Sequence, residues 1–336
     1  MTISELGLCA APCCPSAMAD RLKGPILPAD ILALIAQAGE GNIASLRAVV
    51  DVLARMVADG SIPADEARRL LQPLPRHWPD GGGEILRQRF VLNEILGVGT
   101  VATVIAARDL RREEARDPSA AVALKLLNPA LIMGPDARAA LFGEARLTAR
   151  LDHPNILRVL DWDADGALPF IIMERLAGQP LSALARETEG RGVGWAATVP
   201  LGRQIAAALA HAHDRLVAHG DLKPDNLLLT PSGEVILLDF GAARGVGPGG
   251  PVAAFAGFTA RWATAELARG APPEPADDLH ALAVILYRLA GGRVEGAPER
   301  LPGMGRRAWE MLRVALEPRR ASQPGSAQAF LRRVLE

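Results

Sequence analysis

The sequence of 336 residues lacks three things: cysteine beyond its first fourteen positions, tyrosine apart from one residue, and long apolar runs. Because Cys9, Cys13 and Cys14 are the only cysteines, no disulfide can link the rest of the chain, which favours a reducing, cytoplasmic location. No apolar run reaches the roughly 20 residues that a membrane-spanning helix requires. The first residues carry an acid and no base, which argues against a secretory signal.

An excess of charge of one sign is also lacking. The formal net charge is −1, and a nearly neutral surface attracts neither nucleic acid nor an anionic membrane. We therefore expect no nucleic-acid or membrane partner. The three cysteines have no histidine nearby, so they favour free thiols over a zinc site.

Three segments precede the main domain. Residues 1–25, rich in Cys, Pro and Ala, are predicted to be a disordered tail. Residues 26–72 repeat apolar side chains at steps of three and four and predict a small helical module. That module is a candidate docking site for a regulator, or alternatively a helical extension that packs on the next domain. Residues 73–87 form a turn-rich linker.

The main domain, residues 88–334, has its strands before its helices. Residues 88–176 are rich in strand-forming runs, and residues 177–334 are mostly helical. This order predicts an α+β fold with a β-rich small lobe and an α-rich large lobe. The charged segment 111–120 is expected to be a hairpin loop, and DDLHALAVILYRLAGG at 277–292 a long buried helix.

The segment HGDLKPDN at 219–226 carries the most chemistry. Asp221 can accept a proton from a hydroxyl, Lys223 can neutralise a phosphate, and Asn226 can bind Mg²⁺. Asp, Pro and Asn also make ordinary turns. A turn, however, requires neither the lysine inside it nor the apolar strand directly after it.

Two further segments offer groups for phosphate and metal. Asp239 ends an apolar run and is followed by Phe240 and Gly241, a good position for a carboxylate that binds Mg²⁺. Lys125 lies inside an apolar strand, where it must meet an anion or face solvent from an edge. The glycine-rich run at 96–104 lets backbone N–H groups approach phosphates, although a simple hairpin explains it equally well.

Together these motifs resemble the eukaryotic-type (Hanks-type) protein kinases, and specifically their bacterial members, over residues 88–334. The resemblance implies phosphorylation of serine and threonine hydroxyls on proteins, with ATP and Mg²⁺, or Mn²⁺ in its place. It also implies an ion pair of Lys125 with Glu144 at the α- and β-phosphates. The nucleotide-binding residues implied are Leu96, Gly97, Val98 and Gly99 over the phosphates, Val104, Ala123 and Leu228 around the adenine, Met173 as gatekeeper, and Glu174 and Leu176 in the hinge.

The resemblance assigns structural roles in the large lobe as well. An activation segment begins at Phe240 and Gly241 and closes in FTARWATAE at 258–266. The structural residues implied are Thr259 beside the catalytic Asp and Lys, Glu266 at the end of the segment with Arg320 as its candidate partner, His219 of the catalytic loop, and the buried Asp278.

Departures from the family pattern keep two other functions open. Gly220 stands where many members have an arginine that receives a phosphate from the activation loop, so we expect activity without such phosphorylation. Thr264-Ala265 lacks the usual proline, and the region after the long helix is short.

HGD also occurs in small-molecule kinases that act on aminoglycosides or choline. A non-catalytic pseudokinase scaffold is the third possible function. Such a scaffold would be expected to have lost at least one of Lys125, Asp221, Asn226 and Asp239, and all four are present.

Overall fold

The structure, a computed structural model, describes Val52, Met56 and residues 85–98, 102–127, 135–165, 168–188, 191–240, 244–245, 260–294 and 296–335. The predicted tail, nearly all of the helical module and most of the linker therefore lie outside the described residues. The chain divides into two compact units. The first unit is Met1–Met133 with Ala164–Phe170, and the second is Gly134–Asp163 with Ile171–Glu336.

The first unit is built on a sheet whose strands contain many Val and Ile residues, which pack well on a pleated surface. Strands β1, β2, β3 and β4 pair antiparallel in that succession, and the complete order is β1-β2-β3-β4-β6-β5. Residues 164–170, from the last two strands, belong to this unit. The strands are β1 (Ile85–Leu86), β2 (Phe90–Val98), β3 (Ala102–Asp109), β4 (Ala121–Leu127), β5 (Val159–Asp165) and β6 (Leu168–Glu174).

A short helix, α1 (Leu110–Glu114), begins the segment that the sequence predicts as a loop. Its N-cap is Asp109, whose buried carboxylate accepts the N–H of Arg111 at 3.1 Å. The guanidinium of Arg89 donates to the same carboxylate at 2.9 and 2.6 Å. The loop prediction is wrong over the first residues of 111–120, because the cap and its arginine partner fix a helical turn there.

The second unit is mainly helical. Its helices are α2 (Pro135–Thr148), α3 (Leu181–Glu187), α4 (Trp195–Asp214), α5 (Ala265–Ala268), α6 (Pro275–Leu289), α7 (Arg306–Ala315) and α8 (Ala327–Phe330). Its short strands are β7 (Gln179–Pro180), β8 (Val217–Ala218), β9 (Leu227–Leu229), β10 (Val235–Leu237) and β11 (Arg244–Gly245). Single 3₁₀ turns at Pro224–Asn226, Ala260–Trp262 and Arg320–Ser322 and a π turn at Leu331–Leu335 complete it.

Helix α6 forms the centre of the second unit. It begins with Pro275 after a reciprocal capping box, in which Glu274 and Asp277 each accept the other's backbone N–H. From Asp277 to Tyr287 every residue is buried, so the helix packs on all sides and not only on one face. A β-rich first unit followed by a helical second unit confirms the predicted α+β class. Among the described residues, no helix combines the length and apolarity needed to cross a membrane.

Candidate active site

The loop at 219–226 lies between two strand pairs of the second unit. Strand β8 pairs antiparallel with β11 just before the loop, and strand β9 pairs antiparallel with β10 just after it. Pro224 starts the single 3₁₀ turn that closes the loop, where its missing N–H needs no partner. The N–H of Leu238 also donates to the carbonyl of Asn226 at 2.8 Å. The loop is thus held at both ends by main-chain hydrogen bonds.

Asp278, in the first turn of α6, fixes the backbone of this loop. Its carboxylate accepts the N–H of His219 at 2.8 Å and the N–H of Gly220 at 2.9 Å. The Nε2 of His213, on α4, lies 2.8 Å from the same carboxylate. Burial alone would raise the pKa of Asp278, but the hydrogen bonds from His213 and Gly220 hold it below its usual value. A charged, buried carboxylate therefore clamps the loop.

His219 joins the loop to the segment that carries Asp239. Its Nε2 is 2.9 Å from the carbonyl of Leu238, and its Nδ1 accepts the N–H of Asp221 at 3.3 Å. The ring is fully buried and lies 4.7 Å, centroid to centroid, from the ring of Phe240. Both ring nitrogens are therefore used to position main-chain groups on either side of the site.

Two polar side chains, those of Lys223 and Asn226, converge on Asp221. The ammonium of Lys223 donates to its carboxylate at 2.5 Å, and the amide nitrogen of Asn226 donates to its backbone carbonyl at 2.9 Å. Asp221 and Lys223 keep 14% and 24% of their side-chain surface exposed, so an incoming hydroxyl can reach them. The amide nitrogen of Asn226 donates within the loop, and its amide oxygen is the atom of this side chain that can bind a cation.

Asp239 follows β10 in an unusual backbone conformation. It has a φ of 55°, in the left-handed region that residues other than glycine rarely adopt. Its side chain is exposed, whereas Phe240 beside it is buried. Such conformations cluster at functional sites, where the surrounding structure maintains them. A strained turn thus presents a carboxylate at the end of a buried strand, as the sequence predicts.

Lys125 lies in β4 of the first unit, directly opposite Val104 of β3. Only 7% of its surface is exposed, so the alternative of a solvent-facing edge lysine does not hold. Ala123, two residues earlier on the strand, is buried as well. Glu144, its predicted partner, lies in α2 of the second unit and is partly buried.

The structure describes the other predicted nucleotide residues in part. Met173 is buried at the end of β6, and the carboxylate of Glu174 accepts the N–H of Arg158 at 2.7 Å. Leu96 is exposed and Gly97 partly buried on β2. Leu176 and Leu228 are partly buried. Gly99, Gly241, Thr259 and the side chain of Val98 lie outside the described residues.

The contacts of the Arg320 guanidinium differ from those predicted. Its guanidinium donates to both oxygens of Asp277, at 3.0 and 2.8 Å, and to Glu274 at 2.7 Å. Glu266, its predicted partner, instead accepts the backbone N–H of Arg320 at 3.4 Å. The predicted ion pair is therefore corrected: the guanidinium is held at the capping box of α6, whose two carboxylates lie within its reach.

Asp277 and Thr264 were not predicted as site residues. The hydroxyl of Thr264 donates to Asp277 and accepts the N–H of Leu267 at 3.2 Å, which caps α5. Thr264 is fully buried and Asp277 is 2% exposed. The available signals were a threonine three residues before Leu267 and two consecutive acids at the start of a long apolar helix. Neither signal names a partner.

A protein kinase domain model matches residues 90–300 of the chain. The chain is 36% identical over 225 residues to the serine/threonine-protein kinase pkn3 of Myxococcus xanthus, covering 62% of this chain and 39% of that protein. It is 33% identical over 219 residues to a probable serine/threonine-protein kinase of Corynebacterium efficiens, covering 62% and 32%. With PknA of Mycobacterium tuberculosis it shares 31% over 218 residues, covering 63% and 48%.

The chain thus spans between a third and a half of the length of these curated relatives. Among solved structures, the kinase domain of Mycobacterium tuberculosis PknI superimposes with a TM-score of 0.58. It shares 23% identity and covers 75% of this chain and 97% of that domain. At that identity the likeness establishes the fold.

Proposed function

The chain belongs to the protein kinase family, and we propose that it transfers the γ-phosphoryl group of ATP to serine and threonine hydroxyls of proteins. The observation that carries this proposal is the convergence of Lys223 and Asn226 on Asp221, at 2.5 and 2.9 Å. Phosphoryl transfer needs little covalent chemistry from a protein, but it needs a fixed acceptor, neutralised phosphates and a placed cation.

Asp221 is the group proposed to orient the acceptor hydroxyl and take its proton. Its carboxylate is partly exposed, while its backbone is fixed through His219 and Asn226. Lys223, bonded to that carboxylate, is proposed to stabilise the charge on the transferring group. A preorganised pair of this kind supplies orientation and charge without rearrangement at the moment of reaction.

Asn226 and Asp239 are the residues proposed to hold Mg²⁺, or Mn²⁺ in its place. Their donor atoms are an amide oxygen and a carboxylate, the hard ligands that Mg²⁺ prefers. When bound, the cation would neutralise negative charge on the nucleotide phosphates. We propose the remaining nucleotide contacts as the resemblance implies them, from Lys125 with Glu144 and from the residues of β2, β3, β4, β6 and β9.

The choice of basic residues supports these roles. The chain has 37 lysines and arginines, and only three are lysines: Lys23, Lys125 and Lys223. Lysine carries a compact ammonium and arginine a planar fork, so a lysine in an arginine-rich chain fits a position that needs a compact ammonium. Two of the three lysines are those assigned here to phosphate chemistry.

We further propose that activity does not require phosphorylation of the activation segment. Gly220 has no side chain that could bind a phosphate. Residues 240–266 contain only two hydroxyl side chains, that of Thr259, which the resemblance places beside the catalytic Asp and Lys, and that of Thr264. Thr264 is fully buried with its hydroxyl bonded to Asp277. Gly220 also has a φ of 78°, so an arginine at this position would be strained.

The test is transfer of label from γ-labelled ATP to a generic unfolded protein, with and without Mg²⁺, followed by phosphoamino-acid analysis. We expect Mg²⁺-dependent phosphoserine and phosphothreonine. Asp221→Asn should reduce turnover by at least about a hundredfold while ATP affinity changes little, because the residue acts on the acceptor. Asp161→Asn, at an exposed carboxylate on β5, is the control and should behave as wild type.

Three outcomes would contradict the proposal. Transfer to aminoglycosides or choline but to no protein would favour a small-molecule kinase. ATP binding without Mg²⁺-dependent transfer to any acceptor would favour a non-catalytic scaffold. Wild-type turnover by Asp221→Asn would remove the assignment of the acceptor site.

A further inference from the structure

The connection between α2 and β5, residues 149–158, is attached to the strand that precedes Asp239. Ile156 forms a parallel bridge with Leu237, the last residue of β10. The N–H of Leu237 donates to the carbonyl of Asn155 at 2.8 Å. Asp239, a proposed cation ligand, follows two residues after Leu237. The connection therefore helps to fix the strand end that presents this carboxylate.

The side chain of Asn155 strengthens the attachment. Its amide nitrogen donates to the carbonyl of Val235, the first residue of β10, at 2.9 Å and to the amide oxygen of Gln204 on α4 at 3.0 Å. That oxygen also accepts the N–H of Val235 at 2.9 Å. Asn155 thus joins the connection, α4 and β10, so a group that holds Asn155 in place also holds β10.

One ring nitrogen of His153 holds Asn155. The N–H of Asn155 donates to the Nδ1 of His153 at 3.1 Å. Nδ1 must therefore be the unprotonated nitrogen, and the proton of the neutral ring is on Nε2. A second proton can bind only at Nδ1. The hydrogen bond to Asn155 and the charged form of the ring are therefore mutually exclusive.

His211, on α4, packs against His153. The two ring centroids are 5.2 Å apart, and the ring planes are tilted by 52°. The Nε2 of His211 is buried, and no described residue forms a hydrogen bond with it. A proton on this atom would be a buried donor without an acceptor, which is costly. Both rings are therefore packed in the neutral form.

The charges around the two rings act mainly in the same direction. Burial, the neighbouring ring and the positive charge of Arg215 all lower the pKa of His153. At His211 burial and Arg215 lower the pKa, whereas Asp152 and Asp214 oppose them. Both rings are thus neutral at neutral pH and gain protons only in acid.

Resting on the proposed kinase function, we propose that His153 is a pH-sensitive switch for the cation site. In acid, Nδ1 takes a proton from solvent and its hydrogen bond with the N–H of Asn155 breaks. The connection then holds β10 less firmly, and Asp239 is no longer fixed for the cation. The neutral ring gives the active form, and the acid form needs a higher Mg²⁺ concentration for the same turnover.

The test compares the wild-type chain with His153→Asn and His153→Ala at about pH 7.5 and about pH 5.5, on either side of an ordinary histidine pKa. The side-chain oxygen of an asparagine can accept the N–H two residues on, at either pH, as in an Asx turn. Alanine offers no acceptor at either pH. The measured quantity is the Mg²⁺ concentration that gives half-maximal turnover at saturating ATP.

Between these two pH values the half-maximal Mg²⁺ concentration should rise about fivefold more in the wild type than in His153→Asn, the effect of losing one hydrogen bond. Protonation of ATP affects all chains alike, so the difference between chains isolates the switch. At the higher pH, His153→Ala should already need about five times the Mg²⁺ of the wild type. An equal pH dependence in the wild type and His153→Asn would overturn the proposal.

His280→Asn is the matched control. His280 is also buried, and burial lowers its pKa. Its Nδ1, however, donates to the carbonyl of Ala315 at 3.1 Å, so a further proton leaves this hydrogen bond intact. His280→Asn should therefore keep the pH dependence of the wild type. If it lost that dependence as His153→Asn does, acid would be acting on the whole fold, and the switch would be overturned.

NMR spectra of the imidazole nitrogens of the full chain follow the proton without any need for catalysis. We expect the Nδ1 of His153 to gain its proton below the ordinary value of 6.5, with a change in the amide signal of Asn155 at the same pH. His211→Gln should move this titration to higher pH, because the neighbouring ring no longer opposes it. An Asn155 signal that does not follow His153 would overturn the switch.

Failure of the kinase function would look different. A wild-type chain that transfers phosphate to no acceptor would defeat that function, while the titration of His153 would remain measurable. The Mg²⁺ dependence of ATP binding would then replace turnover in the comparison of the wild type with His153→Asn. The same pH dependence of this binding in both chains would overturn the switch in that case too.

Discussion

Asp109 in the first unit and Asp278 in the second are both buried carboxylates, but they accept different kinds of donor. Asp109 is held by the guanidinium of Arg89, with the guanidinium of Arg112 at 3.6 Å, and by backbone N–H groups at the start of α1. Asp278 is held by two backbone N–H groups of the loop at 219–226 and by His213. At both aspartates burial raises the pKa. The hydrogen bonds and nearby positive charges lower it by more, so the pKa of each is below its usual value.

The difference in donors indicates a difference in role. An arginine fork fixes one side chain against another, which secures a corner between a strand and a helix. Backbone donors fix the path of the main chain, and at Asp278 that path carries Asp221, Lys223 and Asn226. We therefore expect the first carboxylate to matter for folding and the second for both folding and turnover.

Replacement of Asp278 should have the largest effect. In Asp278→Asn the new amide group cannot accept all the donors that now converge on the carboxylate, and the loop backbone loses its fixed path. We expect turnover to fall by about a hundredfold, the result of misplacing a catalytic group by about an ångström. Steady-state turnover and thermal unfolding, measured together, check this. Wild-type turnover with reduced stability would mean that Asp278 is no different from Asp109.

Asp109→Asn should destabilise the chain and leave turnover almost unchanged. Removing one partner of a buried ion pair costs about 3–5 kcal/mol, and because Arg89 keeps 20% of its side-chain surface exposed we expect about 1–3 kcal/mol. Urea unfolding gives the stability change, and turnover at saturating substrates gives the comparison. A large loss of turnover below the unfolding transition would contradict the separation of roles.

Lowering the pH should reduce the stability that each of these two carboxylates contributes to the fold. Because their pKa values are lower in the folded state, their contribution to stability is complete above the ordinary value of 3.8 and is lost as the pH falls through the folded value. Urea unfolding between about pH 2.5 and 6 should therefore show stability falling below pH 4. Asp109→Asn should show a shallower fall, and an unchanged slope would contradict the assigned charge.

The smallest expected effect is on the pH dependence of stability between pH 5 and 7, and it comes from histidines of the second unit. Burial lowers the pKa values of His153 and His211, as does the positive charge of Arg215, whereas Asp152 and Asp214 oppose the shift at His211. As the pH falls, these histidines therefore bind protons in the unfolded chain before they do so in the folded chain. Stability then falls as the pH drops below 6.5. His153→Asn with His211→Gln should flatten this dependence in urea unfolding at pH 5–7. His280, whose pKa is also lowered, would retain part of it.

The sequence predicted the elements that carry the candidate site residues better than it predicted the contacts around them. The loop at 219–226 and Asp239 could be named as candidates because the chemistry proposed for them requires particular residue types at fixed spacings. The apolar strand predicted directly after the loop is β9, and the apolar run before Asp239 contains β10. Helix α1 was not predicted, although Asp109 is a residue type that favours an N-cap; the guanidinium of Arg89, which fixes this aspartate, lies twenty residues away in the sequence.

The sequence also failed to predict which acidic residues the guanidinium of Arg320 contacts. Arg320 has three acidic residues nearby in Glu266, Glu274 and Asp277, and only the folded backbone decides which of them its guanidinium reaches. The long helix was predicted from residue 277, whereas α6 begins at Pro275, since the capping box depends on Glu274. Sequence patterns specify elements and chemistry, while three-dimensional packing selects among equivalent acids.

The adjacency of Asp277 and Asp278 limits the changes of length that this region could survive. Inserting one residue into the first turn of α6 would rotate everything after it by about 100° and advance it by about 1.5 Å. One carboxylate would then move into the direction of the other, and neither segment would keep its own acceptor. Substitutions can be absorbed one at a time in this turn, but an insertion or deletion would break two connections at once. The fixed length of this turn is therefore as much a requirement of the site as the identity of its residues.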